Sequence, residues 1–232
     1  MRDHTGKTRE ALLEAAADLF SEHGFQGVGI REIVDRAQAN IAAIKYHFGS
    51  KSDLYVAAVR RTMERRQTAA AWEVLSGSDA SRRAAAVSLI RFIRMFLERL
   101  TEGDDQNNAL CLMMREATEP SEAIDSIVRS FVEPNQDRLI ETLAVIIPDA
   151  TRMELAMTAQ SILGQVLHYR VFKPFLERMP DHGPWDQGRA ARVAEHIARL
   201  VLRGIGLRPA QITEWLAESL LEVDDTRMEA TL

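Results

Sequence analysis

Cysteine is almost missing from this chain: Cys111 stands alone among 232 residues. A lone thiol excludes an intramolecular disulfide and a cysteine-based zinc site, and it fits a reducing compartment. Its setting, A-L-C-L-M-M, predicts a buried thiol rather than a nucleophile. Histidine is sparse too, and the residues at 4, 23, 47, 168, 182 and 196 never take H-x-x-x-H spacing. Neither a Gly-rich phosphate loop nor a nucleophile–base constellation occurs, so no catalysis, cofactor or metal is expected. No apolar run approaches the ~20 residues that a membrane helix needs. Residues 1–10 are polar where a secretory signal would be apolar. The expectation is a soluble, cytoplasmic protein without a membrane partner. Strand-like alternation, internal repeats and low-complexity linkers are also wanting.

Apolar residues make up 46% and charged residues 27%, enough for a packed core and unlike a disordered chain. The net charge of −5 is unevenly spread. Residues 1–66 carry 11 Lys and Arg against 9 Asp and Glu, whereas the remainder carries 18 against 25. Binding to phosphate requires a local positive face, not a basic protein. Between Gln38 and Ser52 there is no acidic side chain at all, while Lys45, Tyr46, His47 and Lys51 fall inside that window. A short, uncharged helix ending in such residues suits insertion beside a polyanion, and the polyanion indicated is DNA.

Helical periodicity dominates. In 7–23, Leu12, Ala15, Ala16, Leu19 and Phe20 share one face, and Gly24 supplies a stop. Gly27 and Gly29 punctuate a loop carrying Phe25 and Val28. A second helix over 30–37 turns Ile33, Val34 and Ala37 inward, and Asn40 is suited to cap a third over 41–47. Ser50 with Asp53 resembles a capping box opening a long fourth helix with Leu54, Ala57 and Ala58 buried. Two short helices around a tight turn, braced by another, make a helix-turn-helix. Further on, breaks at 76–78, 102–107, 119–120, 148–149, 180–188 and 204–209 delimit helices near 80–102, 107–117, 121–147, 151–179, 187–204 and 209–222. Pro134 is expected to kink or interrupt the 121–147 helix. The fold class is all-α. Residues 1–52 are read as the DNA-binding domain, 53–223 as a helical domain to which the family resemblance given below assigns effector binding and dimerisation, and 224–232 as a disordered tail.

The third helix is the reading element. An α-helix fits the major groove with its N-terminal residues at base edges. Ala42 and Ala43 are small enough for close approach, and their methyls suit thymine C5-methyl groups. Ile44 and Phe48, four apart, point into the core. Ile41 has two readings: its spacing says core, its position says DNA. Lys45 and Lys51 are either solvated lysines or phosphate contacts, and Lys51 would add its charge to free N–H groups at a helix start. Arg31 is placed to do the same at the second helix, and His47 is either a capping residue or a phosphate donor. The run Arg60, Arg61, Arg65 and Arg66 reads as a solvated surface paired with Glu64 and other acidic neighbours.

With these residues in view, the chain resembles the TetR family of tetracycline-repressor-like regulators across residues 8–56. The match comprises T-R-E-A-L-L-E-A-A-A-D-L-F, G-F-Q-G-V-G-I-R-E-I-V-D-R-A and I-K-Y-H-F-G-S-K-S-D-L-Y. M-R-E-A-T-E-P-S-E-A-I-D and Q-S-I-L-G-Q-V-L-H-Y-R resemble a subgroup of efflux and antibiotic-sensitivity regulators. The resemblance implies phosphate contacts for Tyr46 and His47, with Arg31, Asn40, Ile41, Ala42, Ala43, Lys45 and Lys51 completing the DNA-binding set. Gln38 departs from the family by standing where Gly is frequent, and Lys45 stands where an aromatic residue or Asn is more usual.

The same resemblance implies a homodimer on a palindromic double-stranded operator, released by a small-molecule effector. Dimer contacts are expected from Leu155, Ile162 and Val166 in one late helix and from Ala194, Ile197 and Val201 in the next, unless both stripes serve the monomer's own core. Phe92, Phe96, Met114 and Phe131, with Arg115, Gln160, Gln165 and His168, are the candidates for an effector cavity. Their bland alternative is ordinary core packing. A constitutive or activating DNA binder without an effector is the competing function.

Overall fold

The computed structural model describes residues 2–65, 68–75, 77, 79–101, 108–180 and 184–229, and every described element is helical. In order these are α1 (Arg2–Gly27), α2 (Ile30–Arg36), α3 (Ile41–His47), α4 (Lys51–Arg65), α5 (Thr68–Glu73), α6 (Arg82–Thr101) and α7 (Asn108–Thr118). They are followed by α8 (Ile124–Ile127), a π-turn (Val128–Val132), α9 (Glu133–Ile146), α10 (Arg152–Val171), α11 (Lys173–Leu176), α12 (Gln187–Gly204) and α13 (Pro209–Glu229). Two compact units result: residues 1–66 with 103–134, and residues 67–102 with 135–232.

The first unit is built on the face of α1 anticipated from the 3.6 period. Leu12, Ala16, Leu19 and Phe20 are buried there with Ile33 and Val34 of α2, Ile44 of α3, and Leu54, Tyr55 and Ala58 of α4. Each fully buried Leu, Ile or Phe contributes about 1.5–3 kcal/mol, so a module this small depends on every one. Gly24 leaves helical geometry at φ 72°, ψ 174°, turning the end of α1 so that Phe25 folds back against Phe20 and Tyr55. The unit does not stop at residue 52. Tyr55 and Ala58 are core residues of this unit, and Leu112, Ala123 and Ile127 from α7 and α8 complete the same cluster. Helix α4 and the 108–132 segment thus share one unit with α1–α3, because the apolar face of that unit continues along α4.

In the second unit α6 packs against α5, α10, α12 and α13. Phe92 and Phe96 stack at 5.2 Å between ring centres, with Trp72 of α5 4.7 and 5.4 Å away. Thr151 and Glu154 form a reciprocal capping box at the start of α10, and Asp186 Oδ1 accepts from Arg189 N at 2.6 Å to cap α12. Those caps explain why both helices begin where the preceding breaks end.

Pro134 acts as anticipated. It has no N–H for the carbonyl of Ser130 four residues back, and the chain passes through the π-turn immediately before it. Arg60 Nη2 reaches that same Ser130 carbonyl at 3.4 Å. Arg60 and its neighbour Arg61, which pairs with Glu10, are thus anchored rather than merely solvated. Helix α13 runs to Glu229, and no Gly or Pro interrupts 210–229. The side chains of Cys111, Glu64 and Arg65, together with residues 66–67, 76, 78, 102–107, 181–183 and 230–232, lie outside the described residues, and with them the readings that fell there.

Candidate nucleic-acid interface

Helix α2 ends in a turn that takes an unusual backbone. Gln38 sits at φ 49°, and Ala39 N donates back to Val34 O at 2.8 Å. The left-handed region normally favours Gly and costs an L-residue about 1–2 kcal/mol. Gln38 therefore holds a backbone conformation that favours glycine and bears the strain itself. Asn40 then enters extended, and its Oδ1 accepts from Ala43 N at 2.9 Å, satisfying one free donor at the start of α3.

Seven residues of α3 present two distinct faces. Ile44 is buried, and Ala43 packs half-buried on the core. On the other side Ala42 and Lys45 are exposed, with Ile41 at 52% and Tyr46 at 77%. The exposure of Ile41 decides between its two readings: it is no core residue. Arg31, at the start of α2, and Asn40 are exposed as well, and His47 is half-buried with its ring edge-on to Tyr46 at 4.9 Å. Neither Lys45 nor Arg31 has a carboxylate partner among the described residues. An apolar Ile-Ala edge flanked by free cations and a phenol can meet base methyls with one part and phosphates with the other.

Two residues of the expected set face inward. Ala43 is the first, as above. Lys51 is the second: its Nζ donates to Phe25 O at 2.6 Å and lies 4.3 Å over the Phe25 ring. Burial lowers the affinity of this ammonium for its proton, with the Glu122 carboxylate opposing in part. In the free chain Lys51 thus acts as a staple between the end of α1 and the start of α4. The sequence offered no signal for this, because the acceptor is a backbone carbonyl 26 positions away. Lys51→Met is accordingly expected to lower stability by about 1.5–3 kcal/mol, the usual worth of a hydrogen bond to a charged group. The salt dependence of DNA binding should stay as in the wild type. Denaturant unfolding and salt titrations check this; a slope reduced by about 0.9 would return Lys51 to the phosphates.

Phe92 and Phe96 are core residues of the second unit, while Met114, Arg115 and Phe131 belong to the first. Arg115 Nη2 donates to Glu22 O at 2.8 Å. Gln160 and His168 are exposed, opposite the inner stripe of α10, and His168 stacks on Phe172 at 4.8 Å. Gln165 and His168 line an open groove with Ser161, Gly164, His196 and Leu200. The six residues expected at a dimer contact lie on the inner faces of α10 and α12. Leu155, Ile162, Val166, Ala194, Ile197 and Val201 are all buried within the single chain. Apolar periodicity picks out the more hydrophobic face of a helix, and here the chain's own core takes it. The outer face of α10 instead bears Met153, Met157, Gly164 and Phe172, and that of α12 bears His196 and Leu200.

Comparison with known proteins agrees with this arrangement. Residues 12–58 match the family described as bacterial regulatory proteins, tetR family, and residues 85–205 match the C-terminal domain of the HTH-type transcriptional dual regulator CecR. The chain is similar to CecR of Shigella flexneri, with 25% identity over 87% of this chain and 94% of that protein. It is similar to the transcriptional regulator RutR of Escherichia coli K12, with 23% identity over 85% and 90% of the two chains. Among solved structures, the TetR-family regulator PfmR of Thermus thermophilus shares the fold at a TM-score of 0.54 and 19% identity, covering 90% of this chain and 97% of that one. A TetR-like regulator from Rhodococcus sp. RHA1 does so at 0.57 and 23%, covering 85% and 96%. With a helix-turn-helix at its N-terminus and more than half its length in the CecR-type domain, the chain belongs to the TetR family of DNA-binding transcriptional regulators, a family without enzymatic activity.

Proposed function

We propose that this protein is a repressor that binds a palindromic operator as a homodimer and releases it when a small molecule binds. The observation that carries the reading is the exposed face of α3: Ile41, Ala42, Lys45 and Tyr46 point to solvent from a helix whose opposite side is locked by Ile44. One such helix reads only a few base pairs, so specificity needs two, about 34–36 Å apart or a multiple of that turn, related by a twofold axis. Support for the second copy comes from the outer faces of α10 and α12, where Met153, Met157, Leu200 and Phe172 remain exposed in one chain. Gly164 lies on the same face, and a Cβ there would meet nothing within 4 Å. A glycine in mid-helix costs about 1 kcal/mol relative to alanine, which a close helix–helix approach would repay.

Release by ligand requires an effector that binds better to a form with wrongly spaced reading helices. The resemblance of the M-R-E-A-T-E-P-S and Q-S-I-L-G-Q segments to efflux and antibiotic-sensitivity regulators makes apolar drug-like molecules the first class to screen. The similarity to a dual regulator favours activation as a second mode, exerted where the operator lies differently.

Lys45→Ala tests the phosphate side of this reading. It is expected to weaken binding on matched and unrelated duplexes alike and to lower the slope of log K against log salt by about 0.9 per subunit contact. Loss confined to one operator base pair would instead make Lys45 a base reader.

A further inference from the structure

The M-R-E-A-T-E-P-S stretch at 114–121 takes no part in α3, yet its polar side chains turn back into the frame that carries α3. Gly24 breaks α1, and a helix end presents carbonyls that the helix itself does not satisfy. Two cations from other helices take acceptors on either side of the break. Arg115 Nη2 of α7 donates to Glu22 O at 2.8 Å, and Lys51 Nζ of α4 donates to Phe25 O at 2.6 Å. The Gly24 Cα faces the same guanidinium, for a Cβ there would lie 3.4 Å from Arg115 Nη1.

The neighbouring residue closes the loop through α4. Glu116 is only 3% exposed, and an unpaired carboxylate there would be strongly destabilising. Its Oε2 accepts from Tyr55 Oη at 3.0 Å, and its Oε1 accepts from Ser121 N and Oγ at 2.8 and 2.9 Å. Burial and the Glu116 charge push the Tyr55 phenol well above its ordinary pKa, so it remains a donor. Tyr55 in turn packs against Phe25 and Phe20 of the α1 end. Consecutive residues of α7 therefore grip α1 and α4 together. These two helices flank α3: it packs on α1, and α4 follows it after a three-residue turn capped by Ser50.

We propose that Arg115, Glu116 and Tyr55 are positioning residues for DNA binding, through which α7 sets the mutual angle of α1 and α4 and so the presentation of α3. Arg115 is exposed, so its loss leaves the core intact. Tyr55→Phe removes one hydroxyl and keeps the ring in its place. Neither residue lies on the face that meets the duplex, so the clamp acts on affinity without touching phosphate. The proposal rests on the DNA-binding activity of the family.

The test uses full-length protein and the tightest duplex that the wild type selects from a random-sequence pool. A pool that the wild type fails to enrich overturns the DNA-binding reading and the proposal with it. Otherwise Arg115→Gln and Tyr55→Phe are each expected to weaken binding of that duplex about tenfold per active molecule, at an unchanged salt slope. Arg115→Lys, which keeps a donor at the end of α1, should recover most of the loss. Should Arg115→Gln not fold, Tyr55→Phe carries the same expectation alone. Wild-type affinity in the folded variants would reduce the clamp to a stabilising contact, and a slope lowered by about 0.9 would make Arg115 a phosphate ligand; either result overturns the proposal.

Discussion

Ala42→Glu should abolish operator binding while leaving the protein as stable as the wild type or slightly more so. Ala42 is exposed on α3 beside Ile41, and its methyl makes no part of the core. A carboxylate there enters the groove unpaired and faces the phosphates. Burying one uncompensated charge costs about 3–5 kcal/mol, a loss of roughly a hundredfold to several thousandfold in Kd at 1.4 kcal/mol per decade. The fold experiences the opposite effect. Helix α3 has no acidic residue in its first turn, and a negative charge near a helix N-terminus stabilises by about 0.3–1 kcal/mol. Stability and affinity thus move apart, which a misfolded variant cannot imitate. Thermal unfolding and fluorescence anisotropy on the selected duplex check both; retained binding would take Ala42 out of the groove.

Ala42 also illustrates how much of the interface was legible in the sequence. Its neighbour Ala43 is chemically identical, and no composition rule distinguishes the two. What separates them is the helix turn: Ala43 follows Asn40 by three positions and receives the cap on its N–H, which turns its Cβ toward the core beside Ile44. The helix boundaries were readable because Gly24, Asn40 and Ser50 announce them through backbone conformation and capping. Pro134 announced its own interruption for the same reason, a missing N–H. These are local signals, and the sequence carries local signals directly.

Long-range polar contacts were not readable in this way. Lys51 at a helix start looked like a phosphate ligand, yet its charge is spent on a carbonyl of the α1 turn. Glu116 carries no local signal of its role, yet it holds Tyr55 across 61 positions. Each depends on which helices pack together, information that resides in the apolar faces of α1, α4 and α7 jointly. The extent of the first unit likewise depends on long-range packing. A motif ends at residue 56, but the buried stripe Leu54, Tyr55, Ala58 and Val59 runs on and recruits Leu112 and Ile127.

The apolar stripes on α10 and α12 are buried in the single chain, and Leu200→Glu tests whether their outer faces hold the second copy. Leu200 is 55% exposed in the single chain, and Leu and Glu have nearly equal helix propensities, so the monomer should change by less than about 0.5 kcal/mol. Arg203, one turn further along α12, can pair with the new carboxylate in solvent. A twofold seam over α10 and α12 would bring in two such charges per dimer, one from each subunit, since an isologous interface repeats every substitution. At about 3–5 kcal/mol for each unpaired charge, dimer affinity should fall by more than about a thousandfold. Operator binding should fall with it, because one α3 reads only a half-site. Gly164→Ala sharpens the comparison. With nothing within 4 Å of the added Cβ, it should stabilise a lone chain by about 1 kcal/mol through helix propensity, while weakening a close helix pair. Sedimentation velocity over a concentration series reads the assembly state, and denaturant unfolding reads the chain. A Leu200→Glu protein that sediments as the wild-type dimer would move the seam away from α10 and α12, and the exposed Met157, Gly164 and Leu200 would then need another partner.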